Sequence, residues 1–242
     1  MIDRSPAELI RIGGLTKFTT IDFPGRLSCV IHMQGCPLSC RYCHSPHLQP
    51  RAPHLMTPAA PSWGEFLAWL GTRRTLLDGV VFSGGEPCLQ TALPAAIADC
   101  RAAGFGVGIH SAGVYPRRLS AVLGELDWVG LDWKAPSGVQ QKTTGRASMG
   151  RASMGRAFEA SLGAVLRSGI DYEIRTTYHP ELLSGDDLVA MAEKLKSSGA
   201  RAWVIQNFNG HGCDDADLVR NARPIDGGTV EILSGILPIS IR

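Results

Sequence analysis

Leu27–Met33 is a short, almost continuous apolar run, and Gln34-Gly35-Cys36-Pro37-Leu38-Ser39-Cys40-Arg41-Tyr42-Cys43-His44 follows it directly. Such runs are typical of strands buried in a parallel sheet. The pattern recurs about six times between residues 27 and 207, where strand-like runs alternate with segments of helical spacing. Strands are predicted at Leu27–Met33, Gly79–Ser83, Phe105–Ser111, Trp128–Lys134, Tyr172–Tyr178 and Ala202–Asn207.

The segments between these strands predict helices. Their apolar residues recur at helical spacing over Trp63–Arg74, Leu89–Ala103, Pro116–Leu123, Phe158–Arg167 and Gly185–Ser198. Six units of roughly 30 residues have the size of right-handed βαβ elements, whereas a closed eight-stranded barrel takes about 250 residues. The sequence therefore predicts an α/β fold, an incomplete (β/α)6 barrel, with a doubly wound open sheet as the alternative. We expect one domain over residues 1–242, with a core at 27–207 and extensions at 1–26 and 208–242.

Composition excludes several classes of protein. The 242 residues are 44% hydrophobic and 19% charged, as in an ordinary globular chain. Lys and Arg number 24 against 22 Asp and Glu, a formal charge of +2, which argues against a nucleic-acid partner. No apolar run approaches 18 residues, and the first residues lack a signal peptide, so we expect a cytoplasmic protein with no membrane association.

Seven cysteines in a chain without an export signal favour metal or redox chemistry over disulfides. Cys36, Cys40 and Cys43 form a C-x3-C-x2-C arrangement directly after the first predicted strand. Three thiolates can hold three irons of a [4Fe-4S] cluster and leave the fourth iron open to a small molecule. A structural zinc site is the alternative, but it requires a fourth protein ligand, for which only His44 and His47 are near in sequence.

The cysteine motif, together with Ser83-Gly84-Gly85-Glu86-Pro87 at the end of the second predicted strand, resembles the radical S-adenosylmethionine enzymes. The resemblance implies a [4Fe-4S] cluster on the three cysteines and S-adenosyl-L-methionine (SAM) bound to its open iron. It also implies that the backbone of Ser83, Gly84 and Gly85 and the carboxylate of Glu86 receive the ammonium group of SAM. Glycines allow a close approach, and a carboxylate accepts hydrogen bonds from an ammonium. A Gly-Gly turn before a helix that begins at Pro87 is the alternative.

In enzymes of this kind, an electron from the cluster cleaves SAM to methionine and a 5′-deoxyadenosyl radical, which abstracts a hydrogen atom. The resemblance thus implies an oxidoreductase in which the cofactors, and not protein side chains, carry out the radical steps. We expect no catalytic side chain beyond the cluster and SAM.

Four further stretches narrow the resemblance to activating enzymes of glycyl radical proteins, and to those of anaerobic ribonucleoside-triphosphate reductase above all. They are Thr19-Thr20-Ile21-Asp22-Phe23-Pro24-Gly25, Cys43-His44-Ser45-Pro46, Leu131-Asp132-Trp133-Lys134-Ala135-Pro136 and Tyr172-Glu173-Ile174-Arg175-Thr176-Thr177. This implies that the reductase is the partner, with a low-potential electron donor such as flavodoxin or ferredoxin. Three alternatives stay open: activation of another glycyl radical enzyme, a radical enzyme acting on a small molecule or peptide, such as a deazapurine synthase, and a cluster-bearing sensor without turnover.

The same resemblance places further residues at the cofactor. It puts Asp132, Lys134 and Arg175 around the carboxylate and ribose of SAM. A Lys within an apolar strand is costly unless it is paired, and Asp132 is the available partner, so a structural ion pair is the alternative. Tyr42 is placed against the adenine, with simple packing as the alternative. Because active sites of such barrels lie at the carboxyl ends of the strands, we expect one rim to carry Cys36, Ser83, His110, Lys134 and Arg175.

The remaining candidates carry weaker predictions. His110-Ser111-Ala112-Gly113 stands where the activating enzymes often show an Asp or His followed by T-N-G, so Ala112 lacks the amide of that pattern. His110 is either a rim contact or a satisfied core histidine. Gln206 and the neighbouring Asn207 either face the cofactor or cap the strand end. Cys213 suggests a second metal or redox site only weakly. Gly145–Met149 is repeated at once as Gly150–Met154, which predicts a tandem duplication in a loop, with an Arg-rich anion patch as the alternative.

Overall fold

The computed structural model describes residues 6–52, 60–145 and 151–242. Within them, eight strands form one sheet in chain order. The strands are β1 (Ile12–Thr19), β2 (Ser28–Met33), β3 (Gly79–Gly84), β4 (Gly106–Ser111), β5 (Trp128–Asp132), β6 (Asp171–Tyr178), β7 (Trp203–Asn207) and β8 (Ile239–Ile241). β1 pairs with β2 in antiparallel orientation, whereas β2–β3, β3–β4, β6–β7 and β7–β8 are parallel.

Helices connect the parallel strands, as the alternating pattern predicts. They are α1 (Trp63–Gly71), α2 (Leu93–Ala102), α3 (Pro116–Val122), α4 (Gln140–Thr144), α5 (Arg151–Ser168), α6 (Gly185–Ser197), α7 (Ala216–Asn221) and α8 (Gly227–Ile236). Two of them begin at a reciprocal capping box, Ser62 with Glu65 at α1 and Ser184 with Asp187 at α6. No helix in the described ranges is both long and apolar enough to cross a bilayer.

Three expectations about elements need correction. The sheet is larger than six strands, because β1 lies in the predicted N-terminal extension and β8 in the C-terminal one. β5 ends at Asp132, so Lys134 follows the strand instead of lying within it. The duplication is not a loop throughout: residues 146–150 lie outside the described residues, but Arg151–Met154 form the first turn of α5. Ala and Met favour helix, which lets this copy extend the predicted helix Phe158–Arg167 toward the N-terminus.

The chain divides into two compact units. The first comprises Met1–Pro37, His47–Ser111 and Arg117–Gly130. Its core includes a buried cluster of Phe23, Val30, Val81 and Trp128, in which the rings of Phe23 and Trp128 stack with centroids 6.1 Å apart. These residues belong to the predicted apolar runs, or to the segment just before the first of them, so the first unit follows from the sequence pattern.

The second unit comprises Leu38–Pro46, Ala112–Pro116 and Leu131–Arg242. Trp203 of β7 is fully buried, and its indole N–H donates to Thr176 Oγ1 at 3.0 Å. The rings of Trp133 and Phe158 stack at 5.1 Å. The boundary between the units falls inside the cysteine motif: Cys36 belongs to the first unit, and Cys40 and Cys43 belong to the second.

Candidate active site

The loop that carries Cys40 and Cys43 is held by the end of helix α4. The backbone N–H groups of Ser39 and Arg41 donate to the carbonyls of Thr144 and Thr143, at 2.9 and 3.2 Å. The N–H of Cys43 donates to the Cys40 carbonyl at 3.1 Å, which closes a turn between the two cysteines. The loop thus satisfies carbonyls that the C-terminus of a helix leaves without partners.

Gly145 explains how the loop comes so close to α4. It caps the helix in the left-handed conformation, with φ of +67°. A Cβ atom at this position would collide with the carbonyl oxygen of Ser39. Only glycine allows both the backbone conformation and this contact.

All three predicted ligands are reduced cysteines, and each residue is partly exposed. Burial raises the pKa of Cys40 to about 11, because it removes water from the thiolate. The nearby cation of Lys134 lowers this pKa but offsets only part of the effect. Among the described residues, no three His, Cys, Asp or Glu side chains are arranged so that they could hold a single metal ion. A cubane binds each thiolate through a different iron and needs no such group.

The Ser83–Pro87 element is bonded to the segment that leads into the cysteine motif. Gly85 N–H donates to the Met33 carbonyl at 2.8 Å, and Glu86 N–H donates to the Gly35 carbonyl at 3.0 Å. Gly84 has φ of +98°, and a Cβ there would collide with the backbone N of Met33. A Cβ on Gly85 would collide with the Gly35 carbonyl oxygen. Contacts within the protein therefore already require both glycines.

Glu86 has a structural role that the sequence did not reveal. Its side chain is buried, with 1% exposed, and Oε1 accepts hydrogen bonds from Cys88 N–H at 3.1 Å and Ser111 Oγ at 2.8 Å. The carboxylate caps a 3-10 helix at Pro87–Leu89. The alternative of a turn followed by a helix therefore explains Glu86 as well as Pro87, and the role of Glu86 toward SAM stays a prediction.

The side chains of His110 and Ser83 form a hydrogen bond with each other. Ser83 Oγ lies 3.2 Å from His110 Nδ1, and His110 Nε2 lies 3.0 Å from the carbonyl oxygen of Asp22. Because a carbonyl only accepts, Nε2 carries the proton and Nδ1 accepts from the serine. The imidazole edge also packs on Trp128, with centroids 5.3 Å apart. These contacts favour a satisfied core histidine, and both residues lie near the carboxyl ends of their strands, as predicted.

Asp132 joins two cations in the second unit. Its Oδ1 accepts from Arg175 Nη2 at 2.8 Å and Nε at 2.9 Å, and its Oδ2 lies 3.3 Å from Lys134 Nζ. The side chains are 26%, 10% and 21% exposed for Asp132, Arg175 and Lys134. The predicted pairing of Asp132 with Lys134 is present. Arg175 lies inside β6 and not at its carboxyl end, but it reaches the end of β5 through Asp132.

The chemistry of this group fits an anionic ligand. Two cations share one carboxylate, which leaves one positive charge in excess within this trio. Desolvation lowers the pKa of Lys134, but Tyr42, Asp132 and Cys40 outweigh it and hold that pKa well above its ordinary value. The Lys134 ammonium lies 5.6 Å from the centroid of the Tyr42 ring. The buried Tyr42 hydroxyl lies beside Lys134, and while burial raises the Tyr42 pKa, the Lys134 cation lowers it. This hydroxyl makes no hydrogen bond of standard geometry in the described part of the chain.

The remaining candidates lie at the end of β7 and beyond it. Asn207 Oδ1 accepts from Ile225 N–H at 2.9 Å, which supports the capping alternative for this residue. Gln206 is half-buried next to it, and its contact with the cofactor stays a prediction. Cys213 Sγ lies 3.2 Å from the carbonyl oxygen of Arg41 and acts as a hydrogen-bond donor. No sequence pattern indicates this contact, or the contact of Ser111 with Glu86.

The radical SAM superfamily matches residues 30–182 of this sequence, which include all three motif cysteines, Glu86, Lys134 and Arg175. The chain belongs to the radical SAM superfamily. Members of the superfamily use a [4Fe-4S] cluster and SAM, and these are therefore the cofactors of this chain.

Individual relatives agree with this assignment. The radical SAM chain is 24% identical over 216 residues to a protein of Methanocaldococcus jannaschii provisionally named glycyl-radical enzyme activating enzyme, and it covers 86% of that protein. It is 29% identical over 193 residues to the pyruvate formate-lyase-activating enzyme of Clostridium pasteurianum, covering 76% of it. These alignments span 88% and 77% of the present chain.

The fold is also that of a solved structure. The crystal structure of QueE from Escherichia coli matches with a TM-score of 0.57 at 17% identity, over 96% of this chain and 93% of that one. The predicted fold class, an α/β incomplete barrel of the radical SAM type, is confirmed.

Proposed function

We propose that this radical SAM enzyme activates a glycyl radical protein by removing a hydrogen atom from a backbone glycine, and that its partner is anaerobic ribonucleoside-triphosphate reductase. The main support is the similarity to activating enzymes over most of the chain. One event consumes one electron and one SAM, and yields methionine, 5′-deoxyadenosine and one glycine-centred radical. When bound, the cluster and SAM supply the reductive cleavage and the abstraction. A flavodoxin or ferredoxin would supply the electron.

In this proposal, Cys36, Cys40 and Cys43 hold the cluster. They lie within eight residues of one another in the sequence, and the loop that carries Cys40 and Cys43 is held by hydrogen bonds to α4. Three protein thiolates leave one iron of a cubane for another ligand. The donor set therefore fits the cluster that the family uses.

In the second unit, Lys134 and Arg175 hold the carboxylate of SAM, and Asp132 keeps both cations in place. A carboxylate would neutralise the excess positive charge of the trio. Tyr42, which is 4% exposed, excludes water beside Lys134, and its hydroxyl can hydrogen-bond a polar group of the ligand. Gln206, at the end of β7, is a further candidate contact.

In the first unit, the backbone of Ser83–Gly85 and the carboxylate of Glu86 receive the ammonium group of SAM. Ser111 and the Cys88 N–H both bond Oε1 of Glu86. They fix the orientation of the carboxylate before any ligand binds, which reduces the entropy lost on binding.

A glycine-centred radical is the result that tests this function. The anaerobically reconstituted chain, SAM and a reductant are mixed with the reductase, and the doublet of a glycine radical is expected by electron paramagnetic resonance. A reductase in which alanine replaces the radical glycine should give no signal and is the matched control. Cleavage of SAM without any radical on the reductase would contradict the choice of partner. The same assay with other glycyl radical proteins then identifies the correct one.

A second candidate is radical chemistry on a small molecule. The chain is 33% identical over 86 residues, 30% of its length, to the 7-carboxy-7-deazaguanine synthase of Escherichia coli. This region is far shorter than the one shared with the activating enzymes. SAM cleavage that depends on an added deazapurine precursor, and not on a glycyl radical protein, would favour this candidate. A reduced cluster that fails to cleave SAM at all would instead indicate a sensor.

Replacing Glu86 by Gln should weaken SAM binding about 10- to 100-fold, because a charge-assisted hydrogen bond to the ammonium is lost. The cluster content should not change. Affinity is measured by anaerobic calorimetry, alongside iron and sulfide analysis.

Ser111→Ala is the control for this prediction. It removes one donor to Glu86 and keeps the carboxylate, so it should cost about 1 kcal/mol of unfolding free energy but change the affinity much less. Equal affinities of Glu86→Gln and the unmodified chain would show that Glu86 is only a helix cap.

A further inference from the structure

The segment Phe208–Asp215, which follows β7, lies against the cysteine loop. We call it the latch segment. The Phe208 ring stacks on the His44 ring with centroids 5.8 Å apart. Gly212, with φ of +76°, packs so closely on the His44 carbonyl that a Cβ would collide with the oxygen. All of these residues belong to the second unit.

Arg41, between two of the proposed cluster ligands, is bonded to the latch segment through both its side chain and its backbone. Its Nε donates to Asp215 Oδ2 at 2.8 Å, and its carbonyl accepts from the Cys213 thiol at 3.2 Å. Its own N–H donates to the Thr143 carbonyl of α4. The backbone of Arg41 is thus bonded on both sides, by α4 and by the latch segment, and its side chain is held as well.

The same residues anchor the latch segment to the body of the second unit. Asp215 Oδ1 accepts from Leu218 N–H at 3.1 Å and so begins helix α7. The carbonyl of Leu218 accepts from Nε2 of the fully buried His179 at 2.8 Å. His179 in turn packs edge-on against Phe208, with centroids 5.2 Å apart. The latch segment is therefore connected to buried residues of the second unit on one side and to the cysteine loop on the other.

We infer that the latch segment positions the cysteine loop, with Asp215 and Cys213 as positioning residues that hold Arg41 and thereby the turn between Cys40 and Cys43. The inference rests on the proposed role of these cysteines as cluster ligands. The Arg41–Asp215 pair is partly exposed, with side chains 36% and 22% accessible, so it contributes little to global stability. Its effect is expected to be local, on how often the loop opens.

Asp215→Asn is the decisive variant. Asn is as good a helix N-cap as Asp, so α7 should still begin at this residue while the attraction to Arg41 is lost. Asp217→Asn is the matched control. Asp217 lies two residues further on, carries the same charge, and pairs with Arg220 of its own helix. Cys213→Ala removes the thiol donor, and Cys213→Ser restores a donor at the same place.

The first readout uses the full chain without its cluster, kept anaerobic. Alkylation of Cys40 and Cys43, followed by mass spectrometry, should accelerate about two- to fivefold in Asp215→Asn, as expected for the loss of a surface ion pair. Cys213→Ala should accelerate it as well, whereas Cys213→Ser and Asp217→Asn should not. The buried Cys29 provides an internal reference whose alkylation rate stays constant. The second readout is the rate at which a chelator removes iron from the reconstituted chain, which should rise in the same two variants.

Equal alkylation rates in Asp215→Asn, Cys213→Ala and Asp217→Asn would overturn the inference. This outcome is distinguishable from a failure of the proposed function, because alkylation is measured without SAM, cluster or partner. If no glycyl radical forms with any partner but both readouts change as expected, the inference about the latch segment is supported and only the proposed substrate is contradicted.

Discussion

Cys36→Ala, Cys40→Ala and Cys43→Ala should each reduce the iron and sulfide content of the reconstituted chain to the level found without added iron. A [4Fe-4S] cluster held by only three thiolates has no spare protein ligand among them, so one loss removes the cluster. Its broad visible charge-transfer absorption and all SAM cleavage should disappear with it. Iron and sulfide analysis, absorption spectra and the yield of 5′-deoxyadenosine measure the three effects.

Cys29→Ala is the matched control for the cysteine variants. Cys29 lies in β2, shortly before the motif, and is fully buried. Burial raises the pKa of its thiol to about 12, and it lies within a strand of the sheet and not in the cysteine loop, so we do not expect it to bind the cluster. The variant should keep its cluster and lose about 1 kcal/mol of unfolding free energy. A full cluster in any of the three motif variants would contradict the ligand assignment.

Apolar periodicity predicted the central elements of the fold because those elements are buried on both faces. β2 and β3 are continuous apolar runs, and the structure places them within one residue of the prediction. β1 was not predicted because its burial is mixed, with Gly13 and Gly14 followed by half-exposed and exposed residues. β8 has only three residues and lies at the end of the sheet order. A strand without a long apolar run gives a weak signal.

The candidate site shows a similar division between local and distant contacts. Asp132 and Lys134 are two residues apart, so their pairing was visible in the sequence. The bond from Ser111 to Glu86 spans 25 residues, and the pair of Arg41 with Asp215 spans 174. No local pattern encodes such distances. A resemblance to a family identifies motif residues, but it does not identify the partners that hold them in place.

Asp132→Asn should be the most disruptive substitution among the polar residues of the second unit. Asp132 is the carboxylate that Arg175 and Lys134 share, and both cations are largely buried. Removing one partner of a buried ion pair costs about 3–5 kcal/mol, and somewhat less here, about 2–4 kcal/mol, because Lys134 is partly exposed. The amide of Asn can also present an N–H to the Lys134 ammonium, which is unfavourable. Urea unfolding of the cluster-free chain measures the loss.

Glu173→Gln is the control for this effect. Glu173 pairs with Arg242, whose side chain is 49% exposed. The loss of such a surface pair should change the unfolding free energy by less than about 1 kcal/mol. A similar loss in both variants would show that burial does not govern the cost at Asp132.

The double variant Asp132→Asn/Lys134→Met separates a structural ion pair from a binding group. Removing Lys134 as well eliminates one of the two cations that shared the lost carboxylate, so part of the unfolding free energy should return. SAM affinity should not return, because the ammonium proposed to contact the carboxylate of SAM is gone. Calorimetry on the reconstituted chain and urea unfolding of the cluster-free chain measure the two quantities independently. If both recover together, Lys134 contributes only to the fold; if stability recovers alone, Lys134 binds the cofactor.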